Sequence, residues 1–295
     1  MKTKLFIALI LSFTLNTLAE AQNLQQKIES IVAGKQAEVG VVVRNLDTGE
    51  TLGIDLDKRF PMQSVFKFHL ALHVLNEVDK GNLDLNDMIV LQPSDLLEDT
   101  WSPMRDAYKA GERINIVTLL DLSVKRSDNN ACDVLLRQTG GAVALNNYIH
   151  ALGIDSVQIV FDEATMHQAW DNQYKNYTTP RAMADLLTLF AEHKVLANNT
   201  RFYLWNAMSN LATGSGRLRK YLPEEALLVN KTGTSGFNEK GVAGATNDAG
   251  IIVMPNDGPL VVVAVFVKDS TEPNEVNEEV IAQIAREVYN HYAEE

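Results

Sequence analysis

Three short segments carry residue types suited to nucleophilic chemistry: Ser64-Val65-Phe66-Lys67, Ser127-Asp128-Asn129 and Lys231-Thr232-Gly233. A serine hydroxyl is a weak nucleophile until a neighbouring base takes its proton. Apolar residues recur at helical spacing over 66–78, after the breaker Pro61, which predicts a helix starting near Ser64. Residues three apart share a helix face, so the Lys67 amine comes within reach of the Ser64 hydroxyl. A lysine serves as a base only where burial or a nearby cation weakens its hold on the proton. The helix start adds a partial positive field that favours negative charge developing at Ser64. By itself Ser-x-x-Lys is common chance spacing, and its plain reading is a helix-start serine and a solvated lysine. The two later segments shift the balance, because they lie far along the chain and only a fold could gather them.

Ser-x-x-Lys, Ser-Asp-Asn and Lys-Thr-Gly, in that order, are the motif set of class A β-lactamases and penicillin-binding proteins. On these residues the chain resembles a class A serine β-lactamase from about Val39 to its C-terminal helix, and is most similar to the PER-type extended-spectrum branch. The resemblance implies that Ser64 attacks a strained lactam amide, with Lys67 a candidate to take its proton. Ser127 would pass a proton to the departing nitrogen, and Lys231 would keep that hydroxyl poised and attract a substrate carboxylate. Asn129 suits a substrate side-chain amide, and Asp128 a bracing role in its turn. The backbone N–H groups of Ser64 and Thr234 are the implied oxyanion donors, such donors being worth about 3 kcal/mol each. Thr232 belongs to the same strand, Gly233 would let substrate approach its backbone, and Thr234 and Ser235 place hydroxyls beside its edge.

Release of the acyl group needs an activated water. In the family an Ω-shaped loop carries a glutamate and, four residues on, usually an asparagine. Glu163 stands at the first position and His167 at the second, a departure shared with the PER-type branch. An imidazole still donates or accepts according to tautomer, so it can hold water. The loop neck, often closed by an arginine–aspartate pair, has Phe161 and Asn176 instead, which implies a differently folded or wider loop that admits bulky acylamino groups. The arginine that many relatives carry on the final sheet is replaced at about Ala249. Arg217 matches the alternative arginine position, where a guanidinium would give a carboxylate a planar two-pronged grip. Trp101 matches an aromatic at the cleft mouth, with a half-buried packing role its plain alternative.

The elements that must position these groups follow from periodicity. A short helix over 24–31 precedes strands over 39–45 and 51–55, joined as a hairpin by Asp47-Thr48-Gly49. Helical patterns follow over 66–78, 117–123, 131–138, 143–152, 180–193 and 200–212. Strands return over 226–232, 242–254 and 260–267, and an amphipathic helix over 281–292 closes the chain. Two early strands, three late ones and helices between predict an α/β (α+β) fold: a five-stranded antiparallel sheet flanked by the terminal helices, packed on an all-α lobe. This is also the serine β-lactamase/DD-peptidase-like architecture that the resemblance implies. Residues 22–60 and 212–295 would form the α/β lobe and residues 61–211 the all-α lobe, with the site between them.

The chain has 295 residues, is 46% hydrophobic, and has a net charge of −12. Residues 1–21 combine Lys2 and Lys4, an apolar run and Ala19-Glu20-Ala21, the pattern of a signal peptide cleaved before Gln22, so a periplasmic or secreted protein without a stable membrane anchor is expected. Losing that leader makes the chain about one unit more negative, a balance that argues against nucleic-acid or anionic-membrane partners. The single Cys132 rules out an intrachain disulfide and reads as a buried thiol. His69 and His73 are four apart on a helix, but Leu70 stands where a zinc protease needs glutamate, so both read as packing residues. No cofactor and no metal are expected, and a monomer acting on a small β-lactam is. A DD-peptidase or transpeptidase shares the three motifs but not Glu163, and a non-enzymatic penicillin sensor would lack both that carboxylate and a cleaved leader.

Overall fold

A computed structural model of the protein describes residues 23–293; the proposed leader lies outside the described residues. Helix α1 (23–32) leads into the hairpin β1 (Glu38–Asn45) and β2 (Thr51–Ile54), and the short β3 (Phe60–Pro61) precedes a 3₁₀ turn at Gln63–Val65. Then come α2 (Phe66–Asp79), β4 (Met88–Val90), α3 (Pro103–Ala107), β5 (Arg113–Asn115), α4 (Ile116–Lys125), α5 (Asn129–Gln138) and α6 (Gly141–Ala151). After α7 (Glu163–His167) and β6 (Tyr177–Thr178) the chain forms α8 (Pro180–Ala191) and α9 (Asn198–Ser209). It returns through β7 (Leu227–Thr234), β8 (Ala243–Val253) and β9 (Leu260–Ser270) and ends in α10 (Asn274–Ala293).

The five main strands pair antiparallel in the order β2-β1-β9-β8-β7, as expected from two early and three late strands. β9 reads as an unbroken apolar run because both of its faces are covered. Val261, Val263, Val265 and Val267 meet Leu24 and Ile28 of α1 and Ile281, Ile284 and Val288 of α10. Val262, Ala264 and Phe266 belong instead to the larger core built by α2, α4, α5, α8 and α9. Burial of these side chains, at about 25 cal/mol per Å² of apolar surface, is what holds the helices on both faces. β7 forms one edge of the sheet and so offers free backbone toward the helical side.

Several boundaries differ from the sequence reading for local reasons. Ser64 sits on the 3₁₀ turn, with the α-helix beginning at Phe66. α10 starts at Asn274 rather than near 281, its first turns being polar and so without an apolar stripe. The two-stranded pairs β3–β6 and β4–β5 are too short to show a period. Among the described residues no helix is long and apolar enough to cross a membrane.

Candidate active site

α2 carries Lys67 into the interior, fully buried, and the site is arranged around its Nζ atom. Nζ lies 3.0 Å from Ser64 Oγ and 2.8 Å from the Ser127 carbonyl oxygen, and it donates to Asn129 Oδ1. Glu163 Oε1 is 2.9 Å away. An ammonium has three protons, and four oxygens surround this one. Glu163 Oε1 is the oxygen left without a directed hydrogen bond, held by ion-pair contact alone. Nζ therefore donates to the nucleophile, the Ser127 carbonyl and the Asn129 amide while resting against the carboxylate.

The Ser64 turn is fixed from the sheet. Asn247 of β8 donates from Nδ2 to the Pro61 and Met62 carbonyls, at 2.8 and 3.2 Å. Gly233, opposite Asn247 in the β7–β8 register, packs directly beneath the turn. A Cβ on Gly233 would come within 2.4 Å of the Met62 carbonyl oxygen, so the glycine is required by the fit of the nucleophile's own turn against β7. Gly233 also lines the cleft. Gln63, just before Ser64, has φ +46, and Ser127 has φ +56. Two non-glycine residues in the left-handed region beside the cleft store strain of about 1–3 kcal/mol each.

Ser127 precedes α5 and points at Lys231, whose Nζ donates to Ser127 Oγ at 2.9 Å and to the Thr232 carbonyl at 3.0 Å. Burial, and then the positive charge of Lys67, pulls the Lys231 ammonium well below the ordinary lysine range. Asp128 caps α5 by accepting from the Ala131 amide at 2.8 Å, and it also takes the Ser102 hydroxyl and the Met104 amide, the bracing role expected for it. Asn129 Nδ2 donates to Thr100 Oγ1 at 2.7 Å, so its amide is shared between Lys67 and the cleft wall. Cys132 is buried, which pushes its thiol pKa well up and leaves it protonated.

Glu163 is 2% exposed and opens α7, capped by Asp162, whose Oδ1 accepts from the Thr165 amide. The Asp133 carboxylate of α5 accepts the Glu163 and Ala164 amides at 2.8 and 2.9 Å, and so sets where the Glu163 side chain starts. Enclosure, with the nearby charges of Glu163 and Asp162, pushes the Asp133 carboxyl up to about 7 against those two hydrogen bonds. His167 Nδ1 lies 2.7 Å from the Glu163 carbonyl, which only accepts, so Nδ1 carries the proton. In the neutral ring Nε2 is then the acceptor.

A cavity of about 530 Å³ joins these groups: Ser64, Ser127, Asn129, His167, Thr232, Gly233 and Thr234 line it, with Glu98 and Trp101 at its mouth. Trp101 is 63% exposed and donates from Nε1 to the Arg126 carbonyl, which decides against its packing role. A second cavity of about 220 Å³ lies beside it, between the loop residues His167, Trp170 and Gln173 and the strand end at Ser235. The Ser235 hydroxyl accepts from the Ala245 amide. Arg217 is 4% exposed and does not line the cleft. Its guanidinium is bound to Glu278, to the Gly233 and Asn247 carbonyls, and to Thr234 Oγ1 at 2.7 Å. Where a direct grip on a carboxylate was expected, Arg217 holds the exposed Thr234 hydroxyl through Nη2, while Nη1 serves the two sheet carbonyls and Nε serves Glu278.

The β-lactamase enzyme family model matches residues 23–292. The chain belongs to the class A β-lactamase family. It is 44% identical to the extended-spectrum β-lactamase PER-1 of Pseudomonas aeruginosa over 283 residues, covering 95% of this chain and 91% of that one. The solved structure of the TLA-1 extended-spectrum β-lactamase superposes with a TM-score of 0.90 at 40% identity, covering 92% of this chain and 99% of that one. A class A β-lactamase from Bacteroides cellulosilyticus gives 0.88 at 33% identity, over 94% and 99% of the two chains.

As a β-lactamase this chain departs at the neck of its Ω loop, where the resemblance implied no ion pair. The neck is closed by the fully buried Asn176. Its Oδ1 accepts the Val160 and Phe161 amides at 2.8 and 3.0 Å, and its Nδ2 donates to the Phe161 carbonyl at 2.8 Å. A neutral amide thus does what charges do in relatives that use a pair. Asn176→Ala takes the acceptor from two half-buried backbone amides and the partner from the Phe161 carbonyl, and should lower stability by about 2–4 kcal/mol. Urea unfolding measures this.

Sequence reasoning missed Asp133, Gln63 and Gln173. Gln63 Nε2 donates to Gln173 Oε1 at 2.7 Å and ties the nucleophile's turn to the loop. A Cβ on Gly244 would collide with the Gln173 amide at 2.3 Å, and that glycine was the available signal. His69 and His73 are buried packing residues: His73 stacks on Tyr148, and burial lowers His69 to about 4. Among the described residues no three His, Cys, Asp or Glu side chains converge as metal ligands would.

Proposed function

We propose that this class A β-lactamase acylates at Ser64 and deacylates through Glu163, and that its substrates include oxyimino-cephalosporins beside penicillins. Ser64 Oγ attacks the lactam carbonyl as its proton passes to Lys67, whose ammonium has first given a proton to Glu163, or through the same cluster to Glu163 itself. The Ser64 and Thr234 amides receive the oxyanion. As the tetrahedral adduct collapses the C–N bond breaks, and the Ser127 hydroxyl, held by Lys231, protonates the nitrogen. Water then enters beside Glu163 and His167, Glu163 takes its proton, the hydroxide attacks the ester, and the C–O bond breaks as that proton returns through the cluster to Ser64 Oγ. Thr234 and Ser235 receive the substrate carboxylate, backed by Lys231 and by Arg217 acting through Thr234. Asn129 meets the acylamino group, and Trp101 covers the mouth.

One observation carries this reading: Ser64 Oγ and Glu163 Oε1 both touch the single buried Nζ of Lys67, at 3.0 and 2.9 Å. The extended spectrum is supported by the cavity of about 220 Å³ next to the main cleft, where a bulky acylamino group fits. We further read residues 1–21 as a leader removed on export to the periplasm, residues 22–60 and 212–295 as one lobe and 61–211 as the other, and the enzyme as a metal-free monomer. The purified chain from residue 22 should hydrolyse nitrocefin and cefotaxime at rates unchanged by EDTA. Rates abolished by EDTA, or nitrocefin turnover with cefotaxime untouched, would refute the corresponding part.

A further inference from the structure

Behind β7, on the face away from Lys67, a fully buried carboxylate is used by no step above. Asp248 of β8 stands opposite Thr232 in the strand register. Its Oδ1 accepts from Asn230 Nδ2 at 2.8 Å and its Oδ2 from the Leu218 amide at 3.3 Å. Asn230 precedes Lys231 on the strand, and Leu218 follows Arg217 on the turn. One carboxylate therefore grips both the strand that carries Lys231 and the turn that carries Arg217.

That turn has little freedom. A Cβ on Gly214, which has φ +74, would come within 2.4 Å of the Thr232 side chain, and one on Gly216 within 2.7 Å of Glu278. Thr213 Oγ1 and Thr232 Oγ1 are 2.6 Å apart. The turn is pressed onto β7 at its start by Thr213, and held from below at its end by Asp248. Arg217, between those anchors, reaches Thr234 Oγ1.

We propose that Asp248 is a positioning residue for substrate-carboxylate binding, fixing Arg217 and hence the Thr234 hydroxyl in place. The inference rests on the reading of Thr234 as a carboxylate-binding residue. The groups that Asp248 accepts from are both N–H donors, so an added proton has no acceptor among them and breaks the clamp. The charges around it are Arg217 on the turn and Lys231 on β7, with Glu278 of α10 on the far side of the guanidinium. Burial raises the Asp248 carboxyl to about 6 against the hydrogen bonds from Asn230 and Leu218 and the charges of Arg217 and Lys231. The ionised, clamping form is present above that pH and is lost as pH falls through it, while the penicillin carboxylate stays ionised.

The test measures the Kd for benzylpenicillin in a Ser64→Ala background, which separates binding from chemistry. Adding Thr234→Val or Asp248→Asn should each weaken binding about tenfold. In the background protein Kd should rise as pH falls from 7.5 to 5, and with Asp248→Asn this step should disappear. Weakening by Thr234→Val but not by Asp248→Asn, or a pH step that survives Asp248→Asn, overturns the inference and leaves the carboxylate reading intact. No effect of Thr234→Val removes that reading and the inference with it. Should Asp248→Asn fail to fold, the pH profile of the background protein decides, a flat one overturning the proposal.

Discussion

With Glu163 replaced by alanine, turnover of benzylpenicillin should fall about 10²- to 10⁴-fold while Ser64 still becomes acylated, general-base catalysis being worth that much. The asymmetry comes from the geometry. Lys67 Nζ stays beside Ser64 Oγ after the substitution, because the Ser127 carbonyl and Asn129 Oδ1 still hold it. What disappears is the carboxylate that rests on Lys67 Nζ beside the nucleophile and could take a proton from water at this ester. Rapid-quench measurement of the two steps separates them. If Lys67 takes the first proton, acylation stays fast and only hydrolysis slows. If Glu163 takes it, both steps slow together.

Ser64→Ala should reduce turnover about 10⁴-fold or more, because nucleophile and base act as a unit and neither works without the other. Binding should persist, since Asn129, Lys231 and Thr234 keep their partners. The variant should also be no less stable than the parent. It leaves three oxygens around the three protons of Lys67 where the parent has four. The left-handed Gln63 and Ser127 show the same tendency, conformational cost concentrated at the cleft. Steady-state kinetics with a thermal melt checks both halves of the expectation.

The sheet and the long helices were legible because their apolar residues repeat with the periods of strands and helices, and the three motifs were legible because each is contiguous. Other features depend on what a side chain meets across the fold. Arg217 could be assigned a cationic role by position, but not the carbonyls of Gly233 and Asn247 that take both of its Nη1 hydrogens. Asn176 showed from its type that no ion pair closes the Ω loop, yet its four-way amide closure needs the backbone of residues 160 and 161 brought against it. Asp133 lies one turn beyond Asn129 on α5 and looks like an ordinary polar helix residue. Only the arrival of the loop turns it into the acceptor that seats Glu163.

The most direct test of two-step hydrolysis at this cluster is the intact mass of Glu163→Ala after brief exposure to benzylpenicillin. Ring opening loses no atoms, so the account requires a stable species heavier by one whole benzylpenicillin, mapped to Ser64 by peptide digestion. An unmodified mass accompanied by turnover at the parent rate would contradict it.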